Sequence, residues 1–271
     1  MRSGSCLKAF PLLTGCLETH EANQHQILMQ QALTAPFSRT RIKVCGLTRE
    51  GDVDAAVAAG VDALGFVLYA PSPRAVTLQR AVELARRLPA FVTPVLLFVN
   101  ASAQEVADAM HALPHALLQF HGDESPQTCA ALTDAGRHRF LRAARIPLGD
   151  DARDFDLVKY AHHYSQAQAI LLDAHVDGYG GAGKAFNWSL LPTSVNAHLV
   201  LSGGLTPANV IDGIRQVRPR CLSLAVDVSS GVEATRPDGR PLKGIKDAEK
   251  IQRFVAAVRS ADAQIAPNPD V

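Results

Sequence analysis

The stretch RIKVCGLTREGDVDAAVAAGVDALGFVL, at positions 41–68, decides the fold predicted for this chain. It opens on a short apolar run at 41–46, continues through a helix-like segment at 49–59 and closes on a second apolar run at 63–68. Apolar runs of about four to eight residues joined by an amphipathic segment are typical of a βαβ unit. The stretch therefore predicts two parallel strands connected by a helix.

The same alternation continues along the chain. Strands are predicted at 41–46, 63–68, 92–99, 116–121, 139–144, 168–173, 198–202 and 221–227. Helices are predicted at 49–59, 78–88, 103–113, 126–135, 206–217 and 247–260, with a weakly patterned one near 149–163 and a short sixth one. Apolar strands that each return through a helix form a parallel sheet. Eight such units favour a single α/β domain of the (β/α)8 TIM barrel type over an open, doubly wound sheet.

The domain boundaries follow from where this periodicity starts and stops. We expect the barrel to occupy 41–262, a disordered N-terminal extension to occupy 1–40 and a tail to occupy 263–271. The apolar stretch before the LTGC sequence at 13–16 is short and interrupted by Lys8 and Pro11, which argues against a secretion signal.

Composition limits the function classes. The 271 residues carry a net charge of +1, which gives no global reason to expect a nucleic acid or membrane partner. No apolar run approaches the roughly 20 residues needed to span a bilayer. The five cysteines are odd in number and form no C-x-x-C pair, which favours a reducing, cytoplasmic location over disulfides or zinc. We expect a small-molecule substrate, no cofactor and either a monomer or a homodimer.

Glycine-rich loops follow the last three predicted strands. They lie at 180–183, at Gly203 and Gly204, and at Ser230 and Gly231. Exposed backbone N–H groups at such loops bind phosphate, a common arrangement after strands seven and eight of barrel enzymes. A single glycine pair serves a tight turn equally well, but three consecutive loops predict a phosphorylated ligand. We also expect Thr206 to open a helix that adds positive potential.

Titratable side chains mark other strand ends, where barrel enzymes carry their active sites. Cys45 and Asp173 are catalytic candidates, although a free cysteine in an apolar strand is often only a buried structural thiol. His121 and Asp227 are assigned to substrate binding, with a rim imidazole and a turn-capping carboxylate as the respective alternatives. We interpret Cys129 and Cys221 as packing residues, and no histidine or cysteine spacing suggests a metal.

Motifs spread over 41–262 resemble the phosphoribosylanthranilate isomerase family. They are IKVCGLTRE at 42–50, ALGFVLYAPSPRAV at 63–76, LQFHGDE at 118–124, LLDA at 171–174, GGAGKAFNW at 180–188, SGGLTPANV at 202–210 and VDVSSGVE at 226–233. The resemblance implies a cofactor-free Amadori rearrangement of N-(5-phosphoribosyl)anthranilate, in tryptophan biosynthesis, on a (β/α)8 barrel.

The resemblance also implies residue roles. Cys45 would be the general base, Asp173 the general acid and Arg74 the clamp for the substrate's anthranilate carboxylate. The implied phosphate-binding residues are Gly181, Gly183, Gly203, Gly204, Ser230 and Gly231. These roles require Asp173 to hold its proton while Cys45 loses its own, the reverse of what free side chains do. We expect an inward-pointing Lys43 to lower the pKa of the thiol.

Two other functions fit parts of the sequence. A histidine-pathway isomerase performs the same rearrangement on a similar barrel, but the resemblance there requires an aspartate at the end of the first strand, where this chain has Cys45. A non-catalytic barrel that binds a phosphorylated ligand would be expected to lose the acid–base pair, and both members are present. The aminoaldose isomerase of tryptophan biosynthesis is therefore the favoured prediction.

Overall fold

The structure, a computed structural model, describes residues 39–174 and 186–265. Its strands are β1 (Arg41–Cys45), β2 (Ala63–Val67), β3 (Thr93–Phe98), β4 (Leu117–Phe120), β5 (Phe140–Ile146), β6 (Ala169–Ala174), β7 (Val195–Leu201), β8 (Cys221–Val228), β9 (Glu233–Thr235) and β10 (Pro241–Lys246). Its α-helices are α1 (Glu50–Ala58), α2 (Leu78–Ala85), α3 (Ala103–Ala112), α4 (Pro126–Leu132), α5 (Leu157–His163), α6 (Val210–Val217) and α7 (Ala248–Ile265).

Strands β1 to β8 form a closed barrel in chain order, in which β8 pairs with β1. All eight pairs of neighbouring strands are parallel. The predicted (β/α)8 barrel is therefore confirmed. Closure brings the carboxyl ends of all eight strands to one rim, which is where the predicted site residues lie.

Side-chain alternation divides the core into two layers. One set of strand residues, including Ile42, Leu64 and Phe66, packs against the surrounding helices in the large buried cluster. The other set points into the barrel, where Leu141, Ala143, Leu171 and Val200 form a second buried cluster. Because successive strand residues face opposite sides, the polar residues Lys43 and Cys45 on β1 also point inward. Burying them there requires polar partners.

Local capping fixes where several helices begin. Ser102 and Glu105 form a capping box at the start of α3, and the hydroxyls of Thr77 and Ser125 accept backbone N–H bonds at the starts of α2 and α4. Each of these hydroxyls satisfies a backbone donor that a helix leaves unpaired. Short loops between strand and helix are thereby held in place.

Some predicted boundaries were wrong. Helix α6 begins at Val210 rather than at Thr206, because the Asn209 side chain accepts the Thr206 N–H at 2.8 Å and folds 206–209 into a turn. The weak segment near 149–163 is a 3₁₀ turn at Gly149–Asp154 followed by α5. Helix α7 runs to Ile265, past the predicted helix end at 260. Most of the predicted N-terminal extension, residues 1–38, lies outside the described residues.

The hairpin β9–β10 has no counterpart in the sequence prediction. It follows β8 directly and pairs antiparallel, with Glu233 opposite Lys246. Its first strand is too short to show a periodic pattern, so only the folded chain reveals it. The hairpin lies at the carboxyl rim and places two charged side chains there.

Among the described residues, none of the helices combines the length and the apolar composition that a membrane span requires.

Candidate active site

Lys43, Cys45 and Asp227 form a buried polar group on the neighbouring strands β1 and β8. Lys43 and Asp227 are register partners, and Lys43 Nζ lies 2.9 Å from Asp227 Oδ2. Cys45 is one further inward position along β1 and is 5% exposed. The structure thus brings the predicted base beside a lysine–aspartate ion pair.

Gly65 on β2 leaves the space that the thiol occupies. Gly65 is the register partner of Cys45. A Cβ atom added to Gly65 would lie 2.6 Å from Cys45 Sγ and 3.1 Å from Lys43 Cε. The position of the sulfur therefore depends on a glycine at this point of the neighbouring strand.

The net effect of this environment on the thiol differs from the expectation. Burial raises the pKa of the Cys45 thiol, the positive charge of Lys43 offsets part of that effect, and the negative charge of Asp227 adds to it. Lys43 points inward as expected, but the net pKa shift of Cys45 is upward. The expectation overlooked the burial of the thiol, which is the largest cause, and the negative charge of Asp227 beside Lys43. Burial also lowers the pKa of Lys43, but attraction to Asp227 and Cys45 outweighs this and raises it overall.

His121 and Asp173 form a second buried pair, inside the barrel on strands β4 and β6. His121 Nε2 lies 3.0 Å from Asp173 Oδ2, and Gln119 Nε2 lies 3.0 Å from His121 Nδ1. The other carboxylate oxygen of Asp173 accepts the Ala174 N–H at 3.0 Å. His121 is 5% exposed, so it is not a rim imidazole. Its contact is with the predicted acid.

Arg74, in the loop between β2 and α2, is buried at the rim and already holds a carboxylate. Its Nε and one terminal nitrogen donate to the two oxygens of Glu233, at 2.6 and 3.0 Å. The guanidinium edge formed by Nε is therefore occupied. A ligand carboxylate would have to approach the opposite edge, formed by the two terminal nitrogens.

Lys246 completes this group from β10. Lys246 Nζ lies 3.4 Å from Glu233 Oε1 and donates to the Ser229 carbonyl at 3.0 Å. Burial lowers the pKa of Lys246 to about 8, although the carboxylate of Glu233 acts in the opposite direction. With Lys246 protonated, two cations face one carboxylate, which leaves one net positive charge. Sequence reasoning missed Glu233 and Lys246, whose only signal was the position of Glu233 at the end of the VDVSSGVE motif.

The predicted phosphate loops after β7 and β8 meet in space. Gly203 and Gly204 have φ angles of 76° and 65°, a conformation that favours glycine. Neither N–H group donates a hydrogen bond within the described residues. A Cβ atom on Gly231 would lie 1.9 Å from the Leu205 carbonyl oxygen, so the loop that carries Ser230 packs directly against the β7 loop. Gly181 and Gly183 lie outside the described residues.

The remaining predicted residues fall as follows. One oxygen of Asp227 is buried without a hydrogen-bond partner in the described residues. The other is held by Lys43, so the turn-capping alternative finds no support in its contacts. Cys129 is buried in α4 and Cys221 is half-buried at the start of β8, and both are free thiols outside the barrel interior. No cluster of metal-ligating side chains occurs at 39–174 or 186–265.

The fold and the site define an enzyme of the (β/α)8-barrel class, with a thiol, a carboxyl group and glycine-containing loops at one rim. A model of the N-(5′-phosphoribosyl)anthranilate isomerase family matches residues 42–257. The chain belongs to this family. The isomerase of Methylibium petroleiphilum is 59% identical over 228 residues, which cover 84% of this chain and 98% of that protein. The isomerase of Dechloromonas aromatica is 54% identical over 227 residues, covering 84% and 100%.

Solved structures agree with this assignment. The phosphoribosylanthranilate isomerase of Thermotoga maritima has a TM-score of 0.68 and 35% identity, covering 82% of this chain and 99% of that one. A structure of such an isomerase in complex with reduced 1-(o-carboxyphenylamino)-1-deoxyribulose 5-phosphate has a TM-score of 0.63 and 31% identity, with the same coverage. Monomers generated from the dimeric Thermotoga maritima enzyme have a TM-score of 0.62, 31% identity and, again, the same coverage.

Proposed function

We propose that this protein isomerises N-(5′-phosphoribosyl)anthranilate to 1-(2-carboxyphenylamino)-1-deoxyribulose 5-phosphate in tryptophan biosynthesis. The observation that carries the proposal is the inward placement of a thiol, Cys45, and a carboxyl group, Asp173, at one end of a family-matched barrel. The reaction needs one group that gives a proton and one that removes a proton. The two strands that carry them, β1 and β6, lie far apart in the barrel order, which leaves space for a sugar between them.

The acid works first. As the bond between C1′ and the ring oxygen breaks, Asp173 gives a proton to that oxygen, and the nitrogen lone pair forms a C=N bond to C1′. The resulting iminium makes the hydrogen on C2′ acidic. Because the substrate's own nitrogen accepts the electrons, the step requires no cofactor from the protein.

The base works second. Cys45, as a thiolate, removes the hydrogen from C2′, and the electrons of that bond move into a C1′–C2′ double bond and return the lone pair to nitrogen. The enolamine then tautomerises to the 2′-ketone. The nearby ammonium of Lys43 stabilises the thiolate, and Asp227 holds that ammonium in place. The raised pKa of the thiol makes the thiolate scarce but strongly basic.

The two ends of the substrate have complementary charges in the site. The phosphate would lie on the N–H groups of Gly203 and Gly204 with Ser230 and Gly231, and we extend this role to Gly181 and Gly183. The loops after β7 and β8 already touch, so they form one anion site rather than two. Backbone N–H groups in loops and at helix N-termini favour the binding of a dianion such as this phosphate.

The anthranilate carboxylate would lie on the free edge of Arg74. The single net positive charge of Arg74, Glu233 and Lys246 matches one carboxylate. The unpartnered oxygen of Asp227 would accept a hydroxyl of the sugar, as a buried acceptor without a partner is costly. His121 contacts Asp173, so its assigned role in substrate binding would be exerted through the acid.

A cytoplasmic location and a monomeric or homodimeric state are consistent with this function. We place the protein in the cytoplasm, and the free thiols Cys45, Cys129 and Cys221 support a reducing compartment. We propose no nucleic acid or membrane partner. All the residues assigned to the reaction belong to one chain, so the mechanism suits a monomer and a homodimer equally.

A fluorescence assay tests the proposal. Freshly made phosphoribosylanthranilate is mixed with purified protein, and the loss of substrate fluorescence is followed against the uncatalysed rate. We expect rapid loss with the natural sequence, and a fall on the order of 100-fold or more in Cys45→Ala and in Asp173→Asn. Cys129→Ala is the matched control, because it removes a buried thiol that lies in a helix, outside the barrel interior. No turnover above background, with the substrate shown intact, refutes the proposal.

A further inference from the structure

Three buried polar side chains form a chain that ends on the candidate acid. Gln119 contacts His121 at 3.0 Å, and His121 contacts Asp173 at 3.0 Å. The three residues are 0, 5 and 5% exposed. Gln119 lies on β4 and His121 directly follows that strand, two residues further on, so both point into the barrel. Water therefore competes poorly for these hydrogen bonds.

The tautomer of His121 decides what Asp173 carries. In the arrangement seen, the amide nitrogen of Gln119 faces Nδ1 of the ring. An amide nitrogen only donates, so Nδ1 must be the acceptor and the ring proton lies on Nε2. Nε2 then donates to Asp173, which accepts as a carboxylate. In this state neither His121 nor Asp173 has an acidic proton to give.

The other end of the Gln119 amide supplies the second state. Its oxygen, Oε1, is buried and has no hydrogen-bond partner among the described residues. The two ends of a carboxamide have nearly the same shape. Turning the amide by half a turn places Oε1 against Nδ1, which must then carry a proton. The pair of His121 and Asp173 now holds one further proton, between Nε2 and Oδ2.

We infer that His121 and Asp173 act as one general acid, and that Gln119 is the positioning residue whose amide turns with the protonation state of the pair. The inference rests on the proposed function and deepens it. The pair gives its proton to the ring oxygen of the sugar, and the electrons of the C1′–O bond move to that oxygen. The pair is left one proton poorer, and the amide nitrogen of Gln119 suits that state. Proton uptake from solvent restores the acid.

Charged and titratable groups on neighbouring strands surround the pair of His121 and Asp173. Arg145 on β5 is the register partner of Asp173 and pairs with Asp123 at 3.4 Å, while Lys43, Cys45 and Asp227 face the pair from β1 and β8. A free aspartic acid loses its proton near pH ~3.9 and a free imidazolium near pH ~6.5. The imidazole gives the pair a second site that can hold the transferable proton.

Nuclear magnetic resonance of the resting enzyme tests the inference without turnover. The ten histidines are labelled with ¹⁵N, and the signals of His121 are assigned by their loss in His121→Gln. We expect Nδ1 to be protonated below the acidic limb of the kcat/KM profile and to lose its proton through that limb, with Nε2–H remaining. Gln119→Leu removes both amide ends and should uncouple the two tautomers.

The pH dependence of kcat/KM gives the second readout. His121→Gln keeps a donor near Asp173 but cannot titrate. Because the thiol holds its proton to higher pH than the acid does, the acidic limb reports the acid, and this limb should move down by about one pH unit or more. Gln119→Glu offers only an acceptor to Nδ1 and should move the limb up. His198→Gln is the control, since His198 bonds Ser223 at 2.7 Å near the opposite end of the barrel.

The outcomes separate the inference from the proposed function. A His121 ring that stays neutral with Nε2–H at every pH of activity, together with an unmoved limb in His121→Gln, overturns the inference while turnover stands. Failure of the natural enzyme to consume the substrate overturns the proposed function, whatever the spectra show. An ionisation of His121 that coincides with the acidic limb supports both.

Discussion

Gly65→Ala is a test of the site that the structure alone suggests. A Cβ atom at this position would lie 2.6 Å from Cys45 Sγ and 3.2 Å from the Cys45 backbone. Ordinary contacts between nonbonded heavy atoms are about 3.5–4.0 Å, so the sulfur has to move by roughly 1 Å. A displacement of that size costs on the order of 100-fold in rate when the group must meet a reacting atom.

The stability cost of the same change is smaller. One extra methyl group in a packed interior destabilises by about 1–3 kcal/mol, or roughly 2–10 °C in Tm for a chain of this size. We therefore expect a folded enzyme with a kcat lowered on the order of 100-fold and a KM changed much less, because the proposed phosphate loops follow β7 and β8. Thermal unfolding and the fluorescence assay measure the two quantities separately.

Gly51→Ala provides the matched control. Gly51 lies in α1, and a Cβ atom there meets nothing within 4 Å. The substitution should leave kcat unchanged and raise stability by about 0.5–1 kcal/mol, since alanine favours a helix over glycine. A kcat for Gly65→Ala equal to that of the natural enzyme would refute the reasoning, because the position of the thiol would then not limit the reaction.

Three further predictions concern single residues. Because burial raises the pKa of the Cys45 thiol, the rate of its alkylation by iodoacetamide in the free enzyme should rise with pH through a midpoint above the ordinary thiol pKa of 9.0. Peptide mass spectrometry distinguishes Cys45 from the other cysteines. A midpoint at or below pH 9.0 contradicts the upward pKa shift. Arg74→Ala should raise KM about 10-fold or more and also lower Tm, because it leaves Glu233 buried with only Lys246 as a charged partner. Arg74→Lys keeps a positive charge beside Glu233 and should recover part of the lost Tm but not KM, because an ammonium lacks the planar fork that can hold two carboxylates. Full recovery of KM would mean that Arg74 acts only on the structure. Phe91 is fully exposed with a φ angle of 72°, so Phe91→Gly should relieve about 1–2 kcal/mol of backbone strain and raise Tm by several degrees. A fall in Tm instead would show that the aromatic ring is packed against another molecule.

The amino-acid sequence by itself determined the fold and the main chemical groups of the site. Apolar strand patterns and helical spacing are local properties, and eight repeats leave few ways to build a parallel sheet. Placing Cys45 and Asp173 at strand ends required only the strand boundaries. Because a parallel barrel collects its carboxyl strand ends at one rim, their proximity followed from topology. The family motifs then supplied roles that periodicity alone leaves open.

Only the tertiary structure decided the partners of those groups. Lys43 meets Asp227, Arg74 meets Glu233 and His121 meets Asp173 across long sequence separations, and no local pattern encodes which charge faces which. The pKa of Cys45 is the clearest case, because the sequence shows a neighbouring lysine but not the carboxylate that neutralises it or the burial that outweighs it. Desolvation and Coulomb energies depend on distances within the folded barrel, and those distances exist only after β1 and β8 close it.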